Sequence, residues 1–308
     1  PRGPQRCGRR RIRLGLPRQA AIERRGIPRR IGARRSRGDD PDVAAARRAN
    51  TTFVLLAAAA NACDNPFSYS YIAETVKPGK YEFEQYVTGR FGKDLGAGYD
   101  ARYRGFDLNT EIEFGLSATE QLSFYLNTLY VDSSVREGLR FNGINLAYKR
   151  MLADPDKHNW GQAIYLEATY SQASNSTGAF RHRYGLEAKY IFQHNFGENS
   201  GWIYAGNLVA EATHTSGTGE DAVEFKLTQG LARELNHEWT LGMEVVAEAE
   251  WVELNDFEAA GLFVGPVLNY RKGPLSASLT LLAQVVGSPQ DKGSLNVSEY
   301  SPYQARLR

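Results

Sequence analysis

Cysteine is nearly absent: Cys7 and Cys63 are the only two, and the first methionine is Met151. So few thiols exclude a disulfide scaffold and a C-x-x-C redox or zinc motif. Long apolar runs are missing too. The longest, Phe53 to Ala60, has eight residues, against the roughly 20 that a spanning helix needs. A β-barrel is not excluded by this, because only every second residue of a barrel strand meets lipid. The sequence also lacks G-x-S-x-G, H-E-x-x-H and G-x-x-x-x-G-K-[ST]. The nucleophile elbow, zincin and phosphate-loop readings therefore have no starting point.

Charge is distributed unevenly. Residues 1–50 hold sixteen Arg, no Lys and four acids, a net +12, which leaves −10 on residues 51–308. That basic head contains no aromatic residue and has no helical apolar period, so a nucleic-acid-binding role is not expected. Residues 1–42 are expected to be a disordered leader or non-native upstream sequence. Arg47 and Arg48, the run from Phe53 to Ala60 and then Ala60-Asn61-Ala62 have the three parts of a signal peptide, placed at 43–62. Cleavage would make Cys63 the first mature residue. A lipid-modified Cys63 is the alternative, although the preceding residues lack the usual Leu and small-residue run. Residues 63–79 are then expected as a periplasmic N-terminal segment, and 80–308 as the barrel.

From Lys80 onward apolar and polar residues alternate with period two, the mark of strands with one polar face. Strands are expected near 81–91, 104–116, 121–131, 140–150, 162–172, 180–193, 201–212, 222–233, 239–251, 260–271, 274–286 and 302–308. These segments suit a tilted bilayer crossing of about 9 to 11 residues. The fold class expected is all-β: one antiparallel up-and-down transmembrane barrel of about twelve strands. The long connectors follow odd strands and the tight ones follow even strands, with 151–160 as an exception. The last strand, ending at Leu307-Arg308, reads as cut short.

The parity of the charges assigns the lumen. In chain order it should be lined by Glu82, Glu84 and Arg90; Asp107, Glu111 and Glu113; Lys149; and Glu167. Arg181, Arg183, Glu187 and Lys189 follow, then Glu211; Glu224 and Lys226; Glu244, Glu248 and Glu250; and Arg271. Opposite parity carries Phe106, Leu108, Ile112, Leu186, Leu241 and Met243 outward. An Arg or Lys facing lipid at mid-depth costs about 2 to 4 kcal/mol, which accounts for the segregation. Tyr81, Tyr130, Tyr148, Tyr170, Tyr190, Trp202, Trp239, Trp251 and Tyr270 fall near strand ends, as an aromatic girdle requires.

Asn65-Pro66-Phe67-Ser68-Tyr69, with Pro78-Gly79-Lys80-Tyr81-Glu82-Phe83-Glu84-Gln85 and Phe106 through Val131, resembles an uncharacterised family of predicted bacterial outer-membrane β-barrel proteins. The resemblance covers most of 65–308. It implies a barrel in the outer membrane, with lipid and the barrel-assembly machinery as partners, and carries no activity. Barrels of this kind usually end on an aromatic residue, from which this chain departs.

No catalytic, metal or cofactor site is expected. His158, His194 and His237 are placed in periplasmic turns and His214 beside an outer loop, which leaves His182 as the one strand histidine, facing outward. An outer-membrane lipid hydrolase would need partners for it, and the neighbouring face offers Tyr170. Glu82, Glu84, Glu111 and Glu113 should meet at one mouth, where like charges need bases, a cation or water. Lys149, Lys189 and Arg271 are the bases expected at that level. The leading functional reading is a passive porin-like channel for small solutes, its acidic lining mildly favouring cations. The alternative is a closed structural or adhesive barrel that acts through its outer loops.

Overall fold

The computed structural model describes residues 65–94, 103–132, 137–253 and 255–308. The leader expected at 1–42 and the signal peptide expected at 43–62 lie outside the described residues. No helix among the described residues is long and apolar enough to cross a membrane.

The chain forms β1 (Tyr81–Phe91), β2 (Arg104–Gly115), β3 (Glu120–Asp132), β4 (Glu137–Ala153), β5 (Gly161–Ala173) and β6 (Phe180–Phe196). A single helical turn, α1 (Gly197–Ser200), leads to β7 (Trp202–Ser216), β8 (Glu220–Glu234) and β9 (Trp239–Val252). β10 (Asp256–Lys272), β11 (Leu275–Ser288) and β12 (Tyr303–Leu307) complete the sheet. Each strand pairs antiparallel with the next, and β12 pairs with β1, so the twelve strands form a closed barrel. Closure removes both sheet edges and lets each ladder satisfy its backbone groups.

The connectors at the end where β1 begins are short and locally bonded, and this end is called the turn rim. Leu116 N–H donates to the Glu120 carbonyl at 2.8 Å, and Ser117 Oγ donates to Glu120 Oε2 at 3.0 Å. The Asn236 side-chain oxygen accepts the N–H groups of Glu238 and Trp239, each at 2.9 Å. Gly273, at φ +62°, supplies the left-handed position between β10 and β11. The opposite end, the loop rim, carries the connectors 174–179 and 289–302.

All twelve expected strands are present, several of them longer than the alternation suggested. Thr213 to Asp221, expected as a loop, is mostly ladder: Thr215 pairs with Glu220, leaving 217–219 as the turn. The ladder needs only backbone groups, so it continues past the point where apolar contrast fades. His194 and His214 accordingly lie on β6 and β7, correcting the expectation that His182 alone is on a strand.

One irregularity is built into the wall. The β3–β4 register shifts between Asn127 and Thr128, opposite Gly143 at φ +151°. A Cβ there would lie 1.8 Å from the Tyr170 carbonyl oxygen. The bulge changes which parity of β4 faces inward, so Asn142 and Asn145 both line the lumen.

The folded protein should migrate faster unboiled than boiled on a denaturing gel. Gly143→Val should cost about 3 kcal/mol, the upper end for one substitution, and reduce the fast-migrating fraction. A slow band alone from the unboiled wild type would contradict the closed barrel.

Candidate functional site

Residues 65–76 turn back from β1 into the lumen and fill its turn-rim half. Phe67 and Ala73 are 0% exposed, and Ile72 and Val76 are buried. Phe67 and Ile72 pack with Ala205, Ala232 and Val267 of the wall. Ala73 packs with Tyr86, Tyr125, Ala147, Ala163, Tyr165 and Ile191. Gly230 makes room for the plug, since a Cβ there would lie 2.5 Å from the Phe67 ring.

An irregular segment has no ladder, so its buried peptide groups need side-chain partners. The wall supplies them. Glu244, itself 0% exposed, accepts three successive backbone N–H groups: Ser68 at 3.0 Å, Tyr69 at 3.0 Å and Ser70 at 2.8 Å. Thr280 Oγ1 donates to the same carboxylate at 2.6 Å. Asn207 accepts from Tyr71 N–H at 2.7 Å and donates to its carbonyl at 2.9 Å. Gln193 accepts from Ala73 N–H at 2.9 Å, and Gln121 accepts from Val76 N–H at 3.0 Å. From β12 and its end, Arg306 and Arg308 donate to the carbonyls of Ser68 and Phe67 at 3.3 and 3.2 Å. Arg306 also lies 3.9 Å from the centre of the Tyr69 ring.

Beside the plug the β1–β2 register sets Glu82 opposite Glu113 and Glu84 opposite Glu111, as the sequence pattern required. Carboxylate oxygens of Glu82, Glu84 and Glu113 lie within 4.8 Å of one another, close enough for one cation. Of the bases expected at this level, Lys149 acts electrostatically on Glu113, and all three also have acceptors of their own. Lys149 donates to the Glu74 carbonyl, Lys189 pairs with Glu187 at 2.8 Å, and Arg271 faces Glu234 at 3.9 Å. Arg308, which was not expected, reaches Glu84 at 3.1 Å. Gln121 donates to Glu113 at 2.6 Å, and Tyr86 donates to Glu111 at 3.1 Å.

Between the plug and the loop rim lies a cavity of about 400 Å3, floored by Tyr69 and Tyr71. The charged residues on its wall are five acids (Asp107, Glu167, Glu187, Glu211 and Glu248) and five bases (Arg181, Arg183, Lys189, Lys226 and Arg306). The acidic excess of the barrel is therefore not spread over this cavity. Lys189 sits 4.1 Å from the centre of the Tyr71 ring. Lys226 reaches Glu224 at 2.8 Å and Glu211 at 3.9 Å. Toward the rim, Arg90 pairs with Asp107 at 2.9 Å. Glu250 also lies on β9, two residues beyond Glu248 and at the same parity. A polar ladder crosses four strands: Asn109 donates to Asn127 at 3.0 Å, Asn127 to Asn145 at 2.7 Å, and Asn145 to Glu167 at 2.7 Å.

Two connectors fold over the loop rim. Asn175 is held through its carbonyl by Arg90 at 2.9 Å and Tyr103 at 3.0 Å. Lys93 bridges the connectors, donating to the Glu299 carbonyl at 2.6 Å and to Ser176 Oγ at 3.2 Å. Within 289–302 the Asp291 carboxylate accepts the N–H groups of Val297 at 2.8 Å and Ser298 at 2.7 Å. Burial acts to raise its pKa, but these donors prevail and hold it below the usual Asp value.

On the outward face, Tyr81, Tyr148, Tyr190, Trp202, Trp239 and Tyr270 ring the turn-rim side, with Trp239 and Tyr270 in contact at 4.7 Å between centres. Tyr130, Tyr170 and Trp251 lie toward the loop rim, Trp251 against Phe225 and Phe257 at 5.8 and 5.7 Å. His182 faces outward. Its Nδ1 shares a hydrogen bond of 2.8 Å with Tyr170 Oη, and its ring meets Phe180 edge-on at 4.8 Å.

The plug is the feature that sequence reasoning missed. Its signal was present in the inward-parity residues Ala163, Tyr165, Ile191, Ala205, Ala232 and Val267, which are apolar where a wet pore would be polar.

A family of unknown function (DUF6662) matches residues 59–308. No curated protein matches the chain. Among solved structures, the chain is similar to an outer-membrane channel from Pseudomonas putida F1 at 11% identity, covering 76% of this chain and 96% of that one, with a TM-score of 0.49. It is also similar to the NanC porin at 11% identity, covering 73% of this chain and 98% of that one, with a TM-score of 0.43.

Glu244→Ala removes the acceptor for three plug N–H groups. An intramolecular hydrogen bond is worth about 0.5 to 1.5 kcal/mol net, so losing three should loosen the plug by on the order of 3 kcal/mol. Chymotrypsin should then cut after Tyr69 or Tyr71 about a hundredfold faster than in the wild type, as read by mass spectrometry. Equal rates would show that Glu244 does not retain the plug. For Asp291, a depressed folded pKa contributes stability above the unfolded pKa that is lost as pH falls through the folded value. Hydrogen exchange at Val297 and Ser298 should therefore accelerate only below the usual Asp range, whereas Asp291→Asn should be fast already at neutral pH.

Proposed function

We propose that this chain, which belongs to that family of unknown function, is an outer-membrane β-barrel acting as a passive porin-like channel for small solutes, stoppered at rest by residues 65–76. The turn rim faces the periplasm and the loop rim the exterior. The observation that carries the reading is the inverted distribution of side chains. Leu186, Leu139, Phe180 and Phe83 are exposed on the outward face, with Leu186 at 69%, while Glu111 and Glu244 are buried inside. Water would not stabilise such a surface, whereas a bilayer requires it. The aromatic belts at both ends add to this.

Twelve strands fall between the small barrels filled by side chains and the large ones that leave an aqueous channel. The stopper divides the lumen accordingly, with a packed half toward the periplasm and a largely polar cavity toward the exterior, beneath the two connectors. Passage requires the stopper to yield. The inward connectors 174–179 and 289–302 favour a second reading, a closed barrel that acts through those loops. Catalysis at His182 has no support in its surroundings of Tyr170 and Phe180.

In planar bilayers the full chain should show small or infrequent conductance steps, and deletion of 65–76 should raise the unit conductance severalfold. A deletion variant that keeps heat-modifiable migration and still passes no current would exclude the channel and leave the closed barrel.

A further inference from the structure

Two guanidinium groups on the cavity wall have no counter-charge in contact. β6 alternates, so Arg181 and Arg183, two residues apart, project to the same side, and both line the cavity above the stopper. The other bases there are engaged. Lys189 holds Glu187 and Lys226 holds Glu224. Arg306 is occupied by Thr88 at 2.8 Å and by the Ser68 carbonyl and Tyr69 ring. Arg183 donates only to Thr213 Oγ1, at 2.9 Å. The Nε of Arg181 is buried and has no hydrogen-bond partner. Among the described residues neither arginine forms an ion pair. Glu220 and Glu250 act on Arg181, and Arg183 acts on Glu211, Glu250 and Glu258, none of them in ion-pair contact.

Holding two cations side by side with a buried donor unmet costs about 1 to 3 kcal/mol for the donor alone. An anion between them would offset that. Asn175 stands at the same cavity. Its Oδ1 accepts from Asn142 at 2.9 Å and its carbonyl is held by Arg90 and Tyr103, which fixes the residue and leaves its Nδ2 as a further donor. Most of the remaining wall is polar, with the Asn109, Asn127 and Asn145 amides, Thr169 and Thr128 and tyrosine rings at the floor; Val209, Val246 and Leu282 add a smaller apolar part. Such a wall suits hydroxyl groups on a carbon backbone.

We propose that Arg181 and Arg183, with Asn175, bind the carboxylate of a small polyhydroxy acid in the cavity above the stopper. The planar guanidinium fork matches a carboxylate through paired N–H bonds, and the amides and hydroxyls of the facing wall take the polyol. A cavity of about 400 Å3 lies within the range of small-molecule sites. The proposal rests on the channel reading only for the route by which the solute arrives.

The test is calorimetric titration of the detergent-refolded full chain at low salt with gluconate, sorbitol and inorganic phosphate. Sorbitol presents the same six-carbon polyol without the carboxylate. Gluconate should bind one to one and at least tenfold more tightly than sorbitol. The double variant Arg181→Gln, Arg183→Gln, checked for heat-modifiable migration, should lose at least tenfold in gluconate affinity. Absence of gluconate binding, equal binding of sorbitol, or an unchanged affinity in the folded double variant overturns the site. Phosphate that binds more tightly than gluconate overturns the assignment to a carboxylate. The wild-type comparison stands even if the variant does not fold. Because heat is measured rather than current, a protein that binds gluconate and conducts nothing would keep this site while losing the channel.

Discussion

Closure of the sheet is the constraint on which the rest depends. A strand whose backbone groups are paired on both sides has no edge to protect, so its side chains are free to divide strictly between two faces. One face can then be apolar outward and the other charged inward. That division fails if the ring opens, and the ring is thinnest at β12, which has five paired positions with β1, from Val87–Leu307 to Phe91–Tyr303, and five with β11. The β1–β2 seam has eleven. Below the reach of β12, Arg308 bonds Glu84 and the Phe67 carbonyl, so the plug and the last strand brace the seam together.

The plug answers a problem of volume. A ring of twelve strands is wider than its own inward side chains fill, and an unfilled apolar interior would forfeit packing contacts. Residues 65–76 supply the missing side chains, while Glu244, Asn207, Gln193 and Gln121 supply hydrogen bonds to a segment that has no strand of its own. These four polar residues are buried because each faces a peptide group. The charged pairs nearer the loop rim border the cavity instead.

Much of the wall was legible in the sequence. The alternation from Lys80 onward located every strand, because it follows from a period of two, whereas Arg306 and Arg308, which also face the lumen, were not read from it. The quartet Glu82, Glu84, Glu111 and Glu113 was legible for the same reason, since consecutive strands in an up-and-down order share a register set by a short turn. Partners outside that order were not. Lys149, Lys189 and Arg271 were matched to the quartet by level alone; Lys149 does act on Glu113 while bonding the Glu74 carbonyl, but Glu187 and Glu234 lie against Lys189 and Arg271. His194 was misplaced because a ladder can continue through polar residues that carry no alternation.

The sequence by itself determined the class of fold, the strand count, the two faces of each strand and the opposed character of the two rims. These depend on interactions between neighbours in the chain, and neighbours leave periodic marks. Only the tertiary structure decided that the lumen is half filled, which carboxylates are spent on holding the plug, and which arginines are left facing the cavity. Ser68 and Glu244 are 176 residues apart, and a contact of that span has no period to read. It is fixed by which side chains can satisfy a buried backbone once the ring has closed around it.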